Sequence, residues 1–170
     1  MATYHGLNDV QAILLSALVA AVVAIWAIFT QRAISARQTT LEFIRSSESD
    51  LETVSARQRF NEAALDPDGL AKWALDENVR TDEARAIRIV LNEQELIAIA
   101  IQRGILDDAI FRRYFRSGTM KTWDYAAAYI LARRQRTGNQ ALFHEFEELA
   151  RWYRGAPNMP HRWFFLRKFI

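Results

Sequence analysis

Between Asp9 and Arg32 the chain carries no charge. Residues 10–30 read "VQAILLSALVAAVVAIWAIFT", an apolar run interrupted only by Gln11, Ser16 and Thr30. At ~1.5 Å per residue the stretch 12–30 forms a helix of roughly 28 Å, close to the ~30 Å hydrocarbon core of a bilayer. Trp26 and Phe29 fall near its C-terminal end, where aromatic side chains favour the membrane interface. The preceding "MATYHGLND" has no Lys or Arg, whereas a cleaved signal peptide needs a basic leader, and no small-x-small cleavage site follows. The pattern therefore predicts a retained single-pass membrane helix over 10–31.

Beyond the span, the pattern is helical and punctuated. No Gly or Pro occurs between Gly6 and Pro67, so the first helix can run on out of the membrane. A break is expected in "SSESD" (46–50), where Ser49 and Glu52 have capping-box spacing. Leu41, Ile44, Leu51, Val54 and Phe60 make an apolar stripe too irregular for a coiled coil. Asp66 and Pro67 suit the start of a helix in "PDGLAKWALDEN". Thr81, with Asp82 and Glu83 in the first turn, opens a long helix ending at Gly104. Asp107 caps "DAIFRRYFRS", which Gly118 should stop; Thr119 should cap the next helix, ending at Gly138. Asn139 is expected to cap "QALFHEFEELARWYR". Nothing alternates as a strand would. The fold class expected is all-α: one N-terminal transmembrane helix followed by a cytoplasmic helical bundle of five or six helices. The divisions are 1–9 as a short periplasmic stub, 10–31 as the span, 32–154 as the cytoplasmic domain and 155–170 as an aromatic-basic tail.

Charge sets the orientation. Asp9 precedes the span while Arg32 and Arg37 follow it, so the positive-inside rule puts the N-terminus outside and the C-terminal domain in the cytoplasm of a bacterial inner membrane. Over 42–95 there are 7 basic and 13 acidic residues (net −6), and over 96–170 there are 13 basic and 6 acidic (net +7). The two halves are expected to pair inside one bundle; a basic end facing anionic lipid or nucleic acid is the other reading. With no cysteine, disulfides, thiolate metal sites and cysteine nucleophiles are excluded.

Four segments, "ARQTTLEFI", "LNEQELIAIAIQRGILDD", "FRRYFR" and "NQALFHEFEELARWYR", extend in this order over most of 36–154. In order and spacing they resemble the DUF4760 family of bacterial proteins. That resemblance implies a membrane-anchored helical module, and it supplies no catalytic residues.

Candidate chemistry is sparse. Ala12, Ser16, Ala20 and Ala24 put small side chains on one stripe of the span, suited to close packing with a partner helix, either a second copy or another protein. Asn92 and Glu95, at i and i+3, share a helix face beside apolar positions and are read as structural polar groups, with arginine expected as the partner of a buried carboxylate. The rival reading makes Glu95 and nearby arginines an enzyme or anionic-ligand site, but no histidine lies near to serve as a second acid–base group. The segment "HEFEE" offers His144, Glu145, Glu147 and Glu148; its one close His-x-x-Glu pair is reversed and unrepeated, so a salt-bridged helix face is favoured over a metal site. "FRRYFR" (111–116) and "RRQR" (133–136) interleave cations and aromatics as nucleic-acid surfaces do, yet no nucleotide-binding loop occurs and no nucleic-acid partner is expected. The tail "HRWFFLRKFI", with Trp163, Phe164, Phe165, Arg167, Lys168 and Phe169, suits a membrane interface, a return to the bundle core, or a partner's groove. The expected function is a membrane-anchored interaction or scaffold module, an accessory subunit of a larger complex. It is read as not an enzyme, with no cofactor, the bilayer and a protein or like copy being its partners.

Overall fold

The computed structural model describes residues 5–155, with side chains from Asp9 onward. All regular structure among the described residues is helical. The first helix, α1 (His5–Ser49), is continuous for 45 residues, roughly 67 Å at ~1.5 Å per residue. It ends because Asp50 adopts extended geometry and its carboxylate accepts the Thr53 N–H at 3.1 Å, opening α2 (Leu51–Ala64). The cap is thus Asp50, one residue beyond the expected Ser49. The chain then makes an Asx turn, Asp68 N–H to Asp66 Oδ1 at 3.0 Å, and a single 3-10 turn, Ala71–Ala74, in place of the helix expected after Pro67. Lys72 ties back to Asp66 at 2.5 Å, and the Asn78 amide to the Lys72 carbonyl at 2.9 Å. These contacts favour a compact knot over a propagating helix.

Three caps fall where local chemistry predicts. Thr81 accepts the Ala84 N–H at 3.2 Å and opens α3 (Asp82–Gln102). Asp107 accepts the Ile110 N–H at 3.1 Å and opens α4 (Asp108–Thr137). Gly138, at φ +69°, closes α4 in the left-handed conformation that glycine adopts most cheaply.

Gly118 does not break α4, which runs straight through it for 30 residues. One interior glycine costs about 1 kcal/mol, less than the burial of Phe111, Ala126, Tyr129 and Ile130 on the same helix returns. A Cβ at Gly118 would meet nothing within 4 Å. Gly118→Ala is therefore expected to raise stability by about 0.5–1 kcal/mol, measured as a higher midpoint in chemical denaturation.

The last helix, α5 (His144–Gly155), begins five residues after Asn139, which instead closes a turn onto the Ala141 N–H at 3.0 Å. The central element is α3. Its N-terminal half packs Ile87, Val90 and Leu91 against Phe60 of α2 and Tyr129 and Ile130 of α4. Its C-terminal half packs Ile97 and Ile101 against Phe111 of α4 and Tyr153 of α5.

Charge is neutralised mostly within each half of the chain. Among the described residues, only the ion pairs of Arg133 and Arg136 with Asp76 join the acidic half to the basic half. The expected wholesale pairing of halves gives way to pairs within each half, such as Arg57 with Glu93 and Arg134 with Glu147.

Candidate functional site

The C-terminal end of α1 docks onto the bundle through a polar seam. Thr40, fully buried, accepts the Asp107 N–H at 2.7 Å and donates to the Ala36 carbonyl at 2.7 Å. Glu48 accepts the Tyr114 hydroxyl at 2.7 Å. Arg57 of α2 spans to Glu93 of α3 at 2.6 and 3.2 Å and to the carbonyl and hydroxyl of Ser47 at 3.3 Å. A guanidinium so placed locks three helices with charge-assisted bonds.

Next to the seam lies a cavity of about 280 Å³ between α1, α2, α3 and α4. Phe43, Phe111 and Phe115 form one aromatic wall, with ring centroids 6.5 Å apart for the first pair and 4.9 Å for the second. Phe60, Val90 and Ile97 lie on the α2 and α3 sides. Polar residues share this lining, and two of their atoms stand out. Gln94 Oε1 and Thr119 Oγ1 are both buried with no hydrogen-bond partner among the described residues. Thr119 is only 1% exposed. It is not a helix cap, as expected from Gly118, but a mid-helix side chain turned inward.

A second buried polar cluster sits at the start of α4. Asp108 accepts the Tyr153 hydroxyl at 2.9 Å through Oδ1, while Arg112 Nε stands 3.8 Å from Oδ2. Burial raises the Asp108 carboxyl from 3.8 to about 6, partly offset by the Tyr153 hydrogen bond and the Arg112 charge. Burial, then the neighbouring carboxylate, pushes the Tyr153 hydroxyl above its usual range.

Glu95 lies at the start of α5. Its carboxylate accepts the N–H groups of Glu145 at 3.3 Å and Phe146 at 2.7 Å. The residue before α5 is Phe143, at φ +57°, whose side chain offers no acceptor. Glu95 therefore caps α5 from another helix, on the second and third positions that a native N-cap serves. The expected arginine partner belongs instead to Glu93, since Arg57 reaches that face. Asn92 is exposed and shares none of this, because it sits at the solvent edge of the α3 face.

The remaining sequence candidates scatter. Ala12, Ser16, Ala20 and Ala24 all lie on the exposed part of α1, and the Ser16 hydroxyl donates to its own helix at Ile13 O, 2.8 Å away. Arg116 holds the Tyr153 carbonyl, Arg134 holds Leu142 O and Glu147, and Arg136 holds Asp76. Arg112 stacks over Trp152 at 5.3 Å. Glu147 and Glu148 of "HEFEE" pair with Arg151. Trp163, Phe164, Phe165, Arg167, Lys168 and Phe169 lie outside the described residues. Sequence reasoning overlooked Gln94, Thr40 and Asp108. The Asp-Asp pair 107–108 was the available signal, since one carboxylate suffices as a cap.

A family model described as a domain of unknown function, DUF4760, matches residues 14–153. The chain belongs to the DUF4760 family. No curated protein and no solved structure matches it. The DUF4760 match begins inside the apolar segment of α1 and ends in α5, so seam, cavity and Glu95 cap all lie within it.

Proposed function

We propose that this chain is a single-pass, membrane-anchored helical scaffold, with its bundle in the cytoplasm and its N-terminus outside, serving as an accessory subunit of a larger inner-membrane complex. The observation that carries the reading is α1. It is long and apolar enough to cross a membrane, and every side chain described from Asp9 to Ser35 is exposed. A cylinder ~10 Å wide and ~30 Å long presents roughly 900 Å², which at ~25 cal/mol per Å² is about 23 kcal/mol of unmet burial. That exceeds the ~5–15 kcal/mol stability of a whole domain, so lipid or another helix must cover it. Arg32 and Arg37 beyond the span favour the cytoplasmic side for the bundle. The Ala12–Ser16–Ala20–Ala24 stripe suits a partner helix. Supporting a non-enzymatic role, Glu95 is spent on backbone N–H groups, and most 111–136 arginines are spent on internal partners.

The test is a gentle-detergent pull-down of the tagged full-length chain with mass spectrometry, beside Ala20→Leu. A stoichiometric partner retained by the parent and lost in the variant is expected; a partner-free preparation overturns the scaffold reading. Because the chain lacks cysteine, single Ala2→Cys and Ser117→Cys variants report orientation. In intact spheroplasts an impermeant maleimide is expected to label the first and spare the second.

A further inference from the structure

We propose that the cavity between α1 and α4 is a binding site for a small planar aromatic molecule bearing a hydrogen-bond donor on its ring and an anionic group at its outer end. Buried polar atoms are satisfied in the great majority of cases, and each exception costs stability. Here two such exceptions, Gln94 Oε1 and Thr119 Oγ1, line one cavity. An amide oxygen only accepts, so the occupant must present a donor to Gln94; the Thr119 hydroxyl can answer the same group as donor or acceptor. A hydrocarbon chain inserted tail-first satisfies neither atom.

The shape narrows the class further. The Phe111 and Phe115 rings pack against each other, centroids 4.9 Å apart and planes 31° from parallel, and Phe43 adds a third ring 6.5 Å from Phe111. The lining thus offers aromatic faces and edges against which a flat ring packs. A volume of about 280 Å³ holds one small molecule, just under the usual ~300–1,000 Å³ of drug-sized sites. Of the two cations lining it, Arg57 is committed to Glu93 and Ser47. Lys121 is exposed, has no carboxylate partner among the described residues, and rests over Tyr125 at 5.4 Å. It stands at the mouth to receive an anion. Gly118, also in the lining, has open space where a Cβ would sit, so a large side chain there has room to reach across the opening. Since Phe43 of α1 forms part of the wall, the occupant would touch the anchor helix itself.

The probe is 4-hydroxybenzoate, titrated by calorimetry into the full chain in lipid nanodiscs, with empty nanodiscs as blank. Saturable binding below about 1 mM is expected, as fits a ligand of this size. Benzoate, lacking the donor, should bind about tenfold more weakly. Gly118→Leu should abolish binding while preserving helical content. Thr119→Val, which removes the unpaired hydroxyl at constant shape, should raise the melting temperature of the ligand-free protein and weaken 4-hydroxybenzoate several-fold. No saturable binding up to about 10 mM overturns the proposal and leaves water as the occupant. Equal affinity for the two compounds, or full binding by a folded Gly118→Leu protein, overturns it as well. Loss of the pull-down partner has no bearing on these outcomes, so failure of the scaffold reading is distinguishable.

Discussion

Glu95→Ala is expected to destabilise the full-length protein by about 2–4 kcal/mol, the largest effect of any single substitution considered. An N-cap side chain is worth about 1 kcal/mol, and a carboxylate at a helix N-terminus adds roughly 0.3–1 kcal/mol more. The variant also leaves the Glu145 and Phe146 N–H groups, part-buried, without acceptors, at about 1–3 kcal/mol for a fully buried donor. The damage spreads because α5 brings Phe146, Leu149, Ala150 and Tyr153 into the core. Glu95→Gln keeps an acceptor oxygen and gives up only the charge, so it should cost about 1 kcal/mol. Denaturation followed by circular dichroism checks both. Equal losses in the two variants would assign the effect to the charge rather than to the cap.

Asp108→Asn is expected to work in the opposite direction. The Asp108 carboxyl titrates near 6 in the folded chain against 3.8 in an unfolded one. Between those values the native state holds a proton that the unfolded state has released. Stability from this group is therefore complete below pH 3.8, falls as pH rises, and is exhausted above about 6. The shift corresponds to roughly 3 kcal/mol at ~1.4 kcal/mol per unit. Asparagine keeps the oxygen that accepts the Tyr153 hydroxyl and carries no charge to desolvate. At pH 7.5 the variant should gain about 1–3 kcal/mol, and its stability should flatten across the window where the parent's declines. A denaturation series from pH 4 to 7.5 reads both. A parent profile rising through that window would contradict the assignment of Asp108 as the buried charge.

The two residues also mark how far the fold was legible. Thr81, Asp107 and Gly138 were readable because a cap is local: side chain, turn and helix lie within four residues of one another. The role of Glu95 was not, because its partners are backbone groups 50 and 51 residues away, and backbone leaves no mark on a sequence pattern. Gly118 misled for a related reason. Its local cost is real, but packing on either side outweighs it, as tertiary contacts routinely override propensity. The cavity was invisible because Gln94 and Thr119 look like ordinary helix polar residues until geometry turns them inward.

The absence of any break in α1 has a mechanical consequence. From the apolar segment to the Thr40 seam the chain is one stiff rod, so whatever holds the outer half also fixes the compass bearing of the bundle. Each residue added to the exposed stretch 31–35 would raise the bundle by ~1.5 Å and swing it by ~100°. Seven would lift it about 10 Å yet return it to within ~20° of its original facing. The distance of the bundle from the apolar segment and the direction it faces are thus set by a count of residues, as the pitch of a screw couples advance to rotation.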